Sequence, residues 1–449
     1  VSSVPDSSGS GSEASLCEAI LAATPQEALT ISQVLEREGF HAWLVGGCVR
    51  DLIRLWEGRP RASLPADFDL CTDARPEVVA RLFRRVIPTG MAHGTVTVVL
   101  GRRHFEVTTL RGERGYSDGR HPDEVFFVSD LELDLARRDF TVNAMAFDLQ
   151  QPKVSDPFHG REDLERGLLR AVGDPLERFS EDGLRVLRCA RFSATLGLEV
   201  EPNTRAAMRP SLGSFAKVAG ERVREEWLKA LGSTAPSRAF RLLRSEGLLA
   251  VTCPGLFPED SAPLDAAYDA TCARLDRAGP EPLFRLALLL VCAARSAAEA
   301  RELTLELAQR LKLSGAEKTR LLRLAEPAAD LAHLPLDDLD APALRRLMRS
   351  IGADYLLEVA ALAREACEPA SEQHPRLVVL QERMEEELAR KPPLSLRDLR
   401  VSGGELISEL GMQPGPAVGQ LLERLLEATL DDPAQNEKER LLSLARQLK

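Results

Sequence analysis

Residues 65–77 read PADFDLCTDARPE, and the reading of this stretch decides the fold. Asp67 and Asp69 stand two apart among Phe68, Leu70 and Cys71. A strand turns successive side chains to opposite faces, so a strand over DFDLCT puts both carboxylates on one face. Two parallel carboxylates repel each other unless a cation sits between them or water screens them. The pattern therefore marks either a solvated strand end or a divalent-metal site.

Around this stretch, residues 25–155 mix helix and strand signals. TPQEALTISQVLEREG predicts a helix stopped by Gly39. HAWLV, DFDLCT, GTVTVVL, RHFEVTTL and TVNAMAFDL predict strands, with helices over PEVVARLFRR and ELDLARRD between them. After about residue 160 strand signals nearly vanish. Helical periodicity with Gly and Pro breaks remains, as in SEDGLRVLRCARFSATLG and SRAFRLLRSEGLL. The fold class is α+β: a head with a mixed sheet, then an all-helical remainder in which ARKPPLSLRD reads as a linker. The Ser-, Gly- and Pro-rich start predicts a disordered tail over residues 1–23.

The 449 residues carry a net charge of −11, so any nucleic-acid surface must be a local basic patch on an acidic body. RLKLSGAEKTRLLR (Arg310–Arg323) and ALRRLMRS (Ala343–Ser350) are locally positive, which suits either phosphate contacts or ordinary amphipathic helices. The eight cysteines form no C-x-x-C and the seven histidines no H-E-x-x-H, which argues against structural zinc. Scattered cysteines of this kind predict reduced thiols and a cytoplasmic location. No apolar run has membrane-spanning length, so no membrane is expected as a partner.

Three further motifs accompany the aspartates. In LVGGCVRDL (Leu44–Leu52) a strand meets Gly46 and Gly47 and then a helix carrying Arg50; glycines let backbone approach phosphate at a helix N-terminus. Glu106 is an acid in the middle of an apolar strand and suits either an edge facing water or a third metal carboxylate. RRDFTVNAMAFD (Arg137–Asp148) sets two arginines and an acid before a strand; arginine forks suit phosphate oxygens, and Asp139 suits a ribose hydroxyl.

Taken in order, LVGGCVRD, DFDLCT, FEVTTLR, RRDFTVNAMA, DPFHGREDL and SEDGLRVLRCARF resemble the bacterial-type (class II) tRNA nucleotidyltransferase and poly(A) polymerase family. The resemblance covers roughly Trp43 to Leu231. It implies a head of polymerase-β-like nucleotidyltransferase fold over 24–160, a helical neck reading the base over 161–255, a helical body over 256–390 and an RNA-binding helical tail over 391–449. It implies untemplated addition of nucleotides to an RNA 3′ end, with CTP and ATP as substrates, tRNA as partner and Mg²⁺ as cofactor. It puts Asp67 and Asp69 at Mg²⁺, with Glu106 as a further catalytic acid whose metal role stays open. Gly46, Gly47 and Arg50 fall at the triphosphate, and Arg138, Asp139 and Asn143 around the ribose and phosphates. Arg222 and Glu225 match the last neck motif, with a structural role implied.

EDGLRVLR has a chemistry of its own. Asp182 and Arg185 are three apart, hence neighbours on one helix face. Cytosine and adenine each present an amine beside an unprotonated ring nitrogen; a carboxylate accepts from the first and a guanidinium donates to the second. Guanine and uracil invert both contacts. The resemblance gives Asp182 and Arg185 this base-reading role, with Arg188 and Arg191 extending the basic face. Addition of A alone, or poly(A) synthesis, stays open within the family. A small-molecule nucleotidyltransferase would not need EDGLR or so long a helical remainder, and a degenerate RNA-binding relative would be expected to lose its carboxylates. Arg111–Val125 reads as a mobile loop in which Asp118 and Arg120 resemble the family's loop motif, which implies competence for the terminal A.

Overall fold

The computed structural model describes residues 12–60, 62–114, 124–257, 262–334 and 339–449. The chain forms two compact units, Val1–Val251 and Thr252–Lys449.

The first unit opens with helices α1 (Glu13–Ala23) and α2 (Gln26–Arg37), the latter ending just before Gly39 as predicted. Helix α1 corrects the expected disordered tail over its last eleven residues: Ser12 caps it and Leu16, Cys17 and Ile20 are buried. The apolar stripe LCEAIL is enough to dock a short helix that the polar start disguises.

The strands are β1 (Ala42–Val45), β2 (Leu70–Thr72), β3 (Val86–Gly90), β4 (Thr95–Leu100), β5 (Arg103–Thr109), β6 (Arg111–Arg114), β7 (Glu124–Phe127), β8 (Ala146–Asp148) and β9 (Lys153–Ser155), and the stretch expected to be all helical adds two two-residue strands, β10 (Leu168–Leu169) and β11 (Glu199–Val200), paired in parallel and too short to leave a sequence signal. Seven of them make a mixed sheet in the order β3-β4-β5-β2-β1-β8-β9. Neighbours are antiparallel except β2 and β5, which run parallel with Leu70 opposite Val107. Strands β3 and β9 escape the sequence reading because both are short, largely uncovered edges without apolar alternation.

Three expectations are corrected. Strand β2 is only LCT, so Asp67 and Asp69 precede it, although Asp69 O still accepts from Val45 N at 3.0 Å. TVNAMAFDL splits into a 3₁₀ turn at Thr141–Asn143 and the short β8, because Thr141 and Asn143 bond Asp163 and Asp139 through their side chains. The expected loop Arg111–Val125 has ordered ends, since β6 and β7 pair from Arg111–Phe127 to Arg114–Glu124; residues 115–123, with Asp118 and Arg120, lie outside the described residues.

Helices α3 (Gly47–Trp56), α4 (Pro76–Leu82), α5 (Leu131–Ala136), α6 (Gly160–Glu165), α7 (Pro175–Glu181) and α8 (Leu184–Leu196) complete the part that builds the site, joined by the helix Gly220–Leu231. The chain breaks between α7 and α8 at Asp182, so Asp182 and Arg185 do not share a helix face as the spacing suggested. Gly183 makes this break possible: a Cβ there would lie 2.3 Å from Ser214 O.

The second unit is helical throughout its described residues, from Ala262–Arg277 to Lys438–Leu448. In ARKPPLSLRD, Ala389 ends the helix Gln373–Ala389, and residues 390–395 are non-helical up to a 3₁₀ turn at Leu396–Asp398. Beyond it, Leu406, Leu425, Leu426, Leu441 and Ala445 form the core of the last segment. Within RLKLSGAEKTRLLR the helix is interrupted, and Ser314 and Glu317 close a capping box that starts Gly315–His333. ALRRLMRS is no open basic patch. Arg345 is buried and donates to Leu430 O, Asp431 O and Glu387, while Arg346 and Arg349 pair with Glu423, Glu427 and Asp431 of the helix Pro416–Asp431. No helix among the described residues is long and apolar enough to cross a membrane. All eight cysteines are free thiols.

Candidate active site

A polar cavity of about 350 Å³ opens in the first unit, within the range of small-ligand sites. Asp69, Glu106, Arg138, Asp139, Asp182, Arg185 and Arg188 all line it, as do Arg111, Arg137, Arg222, Thr95 and Thr108. Thus acids at or beside the sheet and arginines just after α5 and on α8 face one space.

The parallel register of β2 and β5 sets the acids side by side. Leu70 lies opposite Val107, so Asp69 and Glu106, each one residue earlier, are neighbours. Solvent still reaches Asp69, yet the cleft strips enough water from its carboxylate, with Glu106 and Asp67 adding repulsion against Arg138, to push its pKa up to about 6. Such crowding is relieved by a cation. Asp67 is exposed and outside the cavity lining. No group of three or more His, Cys, Asp or Glu side chains among the described residues is assembled to hold a metal by itself.

Gly46 ends β1 with φ +76° and ψ −132°, a conformation open almost only to glycine. A Cβ at Gly46 would stand 2.7 Å from Arg138 Nη1, so the missing side chain lets Arg138 lie over the turn. Arg138 Nη2 donates to Asp134 at 3.4 Å, and its Nε is buried without a hydrogen-bond partner among the described residues. Gly47 and Arg50 sit behind this turn. Arg50 is buried, bonding Asp51 twice at 2.9 Å and Asn143 Oδ1 at 2.5 Å, so it braces Asn143 instead of facing the cavity.

Asp139 is the most heavily bonded of the expected residues. It accepts from Arg188 through Nε at 2.8 Å and Nη2 at 2.7 Å, from Asn143 Nδ2 at 3.0 Å and from Phe140 N at 2.9 Å. Burial alone would raise its pKa; the charge of Arg188 and these hydrogen bonds outweigh it and hold the carboxyl at about 2. Arg188 leans also toward Glu226, and Arg191 donates to Glu226. Arg50, Arg188 and Arg191 crowd one ring, their guanidinium carbons 5.4, 5.1 and 3.8 Å from the centroid of Phe192. Three acids answer them, Asp51, Asp139 and Glu226. Arg191 is therefore part of a neutral cluster under the cavity and not of its wall.

Asp182 and Arg185 have separate partners. Arg222 grips Asp182 at 3.2 and 2.7 Å, and Leu184 N donates to the same carboxylate at 3.0 Å. Arg185 donates to Glu181 at 2.5 Å and to the carbonyls of Arg178 and Arg137 at 3.1 and 2.9 Å. By the inventory of donors and acceptors, bonds among the described residues leave one lone pair on Asp182 Oδ2 and, on Arg185, the Nε hydrogen and one Nη2 hydrogen.

The chain is similar to known proteins along most of its length. Family models match the chain as a poly A polymerase head domain over 42–170, the RNA- and SrmB-binding site of polymerase A over 197–259, and tRNA nucleotidyltransferase domain 2 over 286–445. A CCA-adding enzyme of Lactobacillus delbrueckii subsp. bulgaricus is 35% identical over 91% of this chain and 94% of its own. One from Geobacillus stearothermophilus is 34% identical over 93% and 95%. This chain belongs to the CCA-adding enzyme family. The solved structure of the Bacillus stearothermophilus CCA-adding enzyme in complex with CTP matches it with TM-score 0.73 and 30% identity, over 94% of this chain and 96% of that one.

In this CCA-adding family member, several buried residues that support the cavity from outside its wall escape the sequence reading. Glu226, not Glu225, is the buried acid of GERVREEWLKAL; Glu225 is exposed. Only the rotation of that helix decides between adjacent glutamates. Asp134, which nothing marks in ELDLARRD, is wholly buried and bonds both Arg137 and Arg138. Phe192 gave no signal beyond an apolar position in a helix.

Proposed function

We propose that this tRNA nucleotidyltransferase completes the CCA end in the cavity shared by Asp69 and Arg185, adding C and A from CTP and ATP. The observation that carries this reading is the split pairing of Asp182 and Arg185. It leaves one acceptor and donor hydrogens on one wall, the set that matches the amine and ring nitrogen shared by cytosine and adenine.

In the reaction the 3′-hydroxyl oxygen of the RNA forms a bond to the α-phosphorus as the bond to the β-phosphate oxygen breaks. The hydroxyl proton leaves and pyrophosphate departs with the electron pair. Asp69 and Glu106, with Asp67 beyond, supply a hard all-oxygen donor set that fits Mg²⁺, which ordinarily needs only one or two protein carboxylates beside substrate phosphates and water. Bound there, Mg²⁺ would favour ionisation of the attacking hydroxyl and offset charge developing on the phosphates. Arg138 reaches over the Gly46 turn and offers positive charge to the triphosphate. Arg188, Asn143 and Phe140 N fill the acceptor positions of Asp139 and keep it ionised, so Asp139 orients Arg188 at the cavity wall and does not itself accept from the ribose. Gly46, Gly47, Arg50 and Asn143 support the turn, and Arg191 with Glu226 holds α8 beneath the base.

The division into head (24–160), neck (161–255), body (256–390) and tail (391–449) is part of the same proposal, with tRNA held by the helical segments. Free thiols at every cysteine support a cytoplasmic setting.

One assay tests the function. Transcripts of tRNA ending before CCA, after C and after CC are incubated with single nucleotides and the products sized. The proposal expects two C additions, then one A, then arrest. Extension of only the CC-ended transcript means an A-adding enzyme, and continued A addition means a poly(A) polymerase.

A further inference from the structure

Asp134 has no assigned role, and it lies at the junction of three parts of the cavity. Its side chain is fully buried. Oδ1 accepts from Arg137 Nε at 3.0 Å and Nη2 at 2.6 Å and from Arg111 N at 3.4 Å, while Oδ2 accepts from Arg138 Nη2 at 3.4 Å. Arg137 Nε also donates to Arg111 O at 3.1 Å. One carboxylate thus ties the end of α5 to the first residue of β6 and steadies both arginines that face the cavity.

The arrangement reaches the base-reading wall. Arg137 caps the C-terminus of α5, where helix carbonyls lack intrahelical partners, and its carbonyl accepts from Arg185 Nη2 at 2.9 Å. Helix α5 has only six residues, too few to hold its last turn in place unaided. The position of the Arg137 carbonyl therefore depends on the anchor one turn earlier. A residue serving packing alone has no need of charge, since a buried ion pair is commonly replaced by apolar groups without loss. Here the charge serves two arginines whose other faces line the cavity.

We propose that Asp134 is a positioning residue for nucleotide selection: it holds Arg137 so that the Arg137 carbonyl orients Arg185 toward the base, and it holds Arg138 toward the triphosphate. This rests on the CCA-adding reading above. Loss of the anchor lets Arg185 turn, so the donor no longer meets the ring nitrogen and uracil is rejected less well. The tRNA contacts are untouched.

The test compares wild type, Asp134→Asn and Arg137→Gln for CTP and UTP incorporation on tRNA ending before CCA, nucleotide KM, tRNA affinity and thermal unfolding. The wild type, run alongside, checks the function itself: if it adds neither C nor A, that reading fails and the variants are not the cause. With wild type active, UTP incorporation relative to CTP should rise about tenfold in Asp134→Asn, the size of one hydrogen bond's contribution. Nucleotide KM should rise by a similar factor while tRNA affinity stays within about twofold. If Asp134→Asn does not fold, Arg137→Gln carries the test and should show the same loss of discrimination. Slower addition with unchanged discrimination, in the folded variants, overturns the proposal and leaves Asp134 a stabilising residue only.

Discussion

The side chains of Asp182 and Arg185, three residues apart, do not pair with each other, although Arg185 N donates to Asp182 O at 2.9 Å: Arg222 holds the first and Glu181 with two carbonyls holds the second. Each is thereby fixed in orientation while keeping a free hydrogen-bonding position. Replacing either by alanine should slow addition and also relax the choice of nucleotide. One good base contact carries about 1–3 kcal/mol of discrimination, so UTP and GTP incorporation relative to CTP should rise by about tenfold or more. Competition assays with all four nucleotides measure this. Equal discrimination in wild type and both variants would return the two residues to ordinary ion pairing.

Asp69→Ala should abolish nucleotide addition and spare tRNA binding, because the carboxylate sits with Glu106 inside the cavity and on no RNA-facing helix. Each tenfold loss of rate corresponds to about 1.4 kcal/mol, and if Asp69 holds Mg²⁺ as proposed, its removal should cost several such steps. Single-turnover rates at saturating Mg²⁺, with filter binding of tRNA, check both halves. Near-normal turnover would remove Asp69 from the metal site.

Asp139 predicts a pH dependence of stability. Its folded carboxyl titrates at about 2, below the unfolded value near 3.9. It therefore contributes stability that is fully present above about pH 4 and lost as pH falls toward 2, on the order of 2 kcal/mol. Urea unfolding of wild type and Asp139→Asn should show a gap at pH 7 that narrows between about pH 4 and 2. A gap independent of pH would mean that Arg188 does not stabilise the ionised form.

Gly46→Ala should strain the turn and push Arg138 aside, given φ +76° and the 2.7 Å approach of Nη1. The strain should lower stability by about 1–3 kcal/mol. Nucleotide KM should rise more than kcat falls, since the proposal gives the displaced arginine a role in holding phosphates and none in bond-making. Unchanged KM for CTP and ATP would detach Arg138 from the triphosphate.

Much of the head was legible because strands and glycine turns leave strong local patterns. The motifs carrying Asp69, Glu106, Arg138, Asp139, Asp182 and Arg185 converge on one cavity. Other features were hidden for physical reasons. A three-residue period implied one helix through Asp182, but the break depends on the approach of Ser214 to Gly183, a contact between distant segments. Arg50 looked like a phosphate ligand beside two glycines, yet Asn143, ninety-three residues away, takes its guanidinium. Asp134 carried no mark because burial of an acid follows from tertiary packing and not from its neighbours in sequence. In ALRRLMRS, positive charge was plain while the acids that answer it lie some eighty residues on.

That last pairing bears on ionic strength. A protein gains affinity for RNA when its cations displace counterions condensed on phosphates, which makes binding weaken as salt rises. Arg346 and Arg349 are already matched by Glu423, Glu427 and Asp431. For either arginine to take up a phosphate, an intramolecular pair must open, and the freed carboxylate gathers a cation of its own. The helix Ala341–Ile351 should then add nothing to the slope of log affinity against log salt. Glu427→Gln, which frees part of that charge, should steepen the slope if tRNA passes over this helix and leave it unchanged if tRNA runs elsewhere.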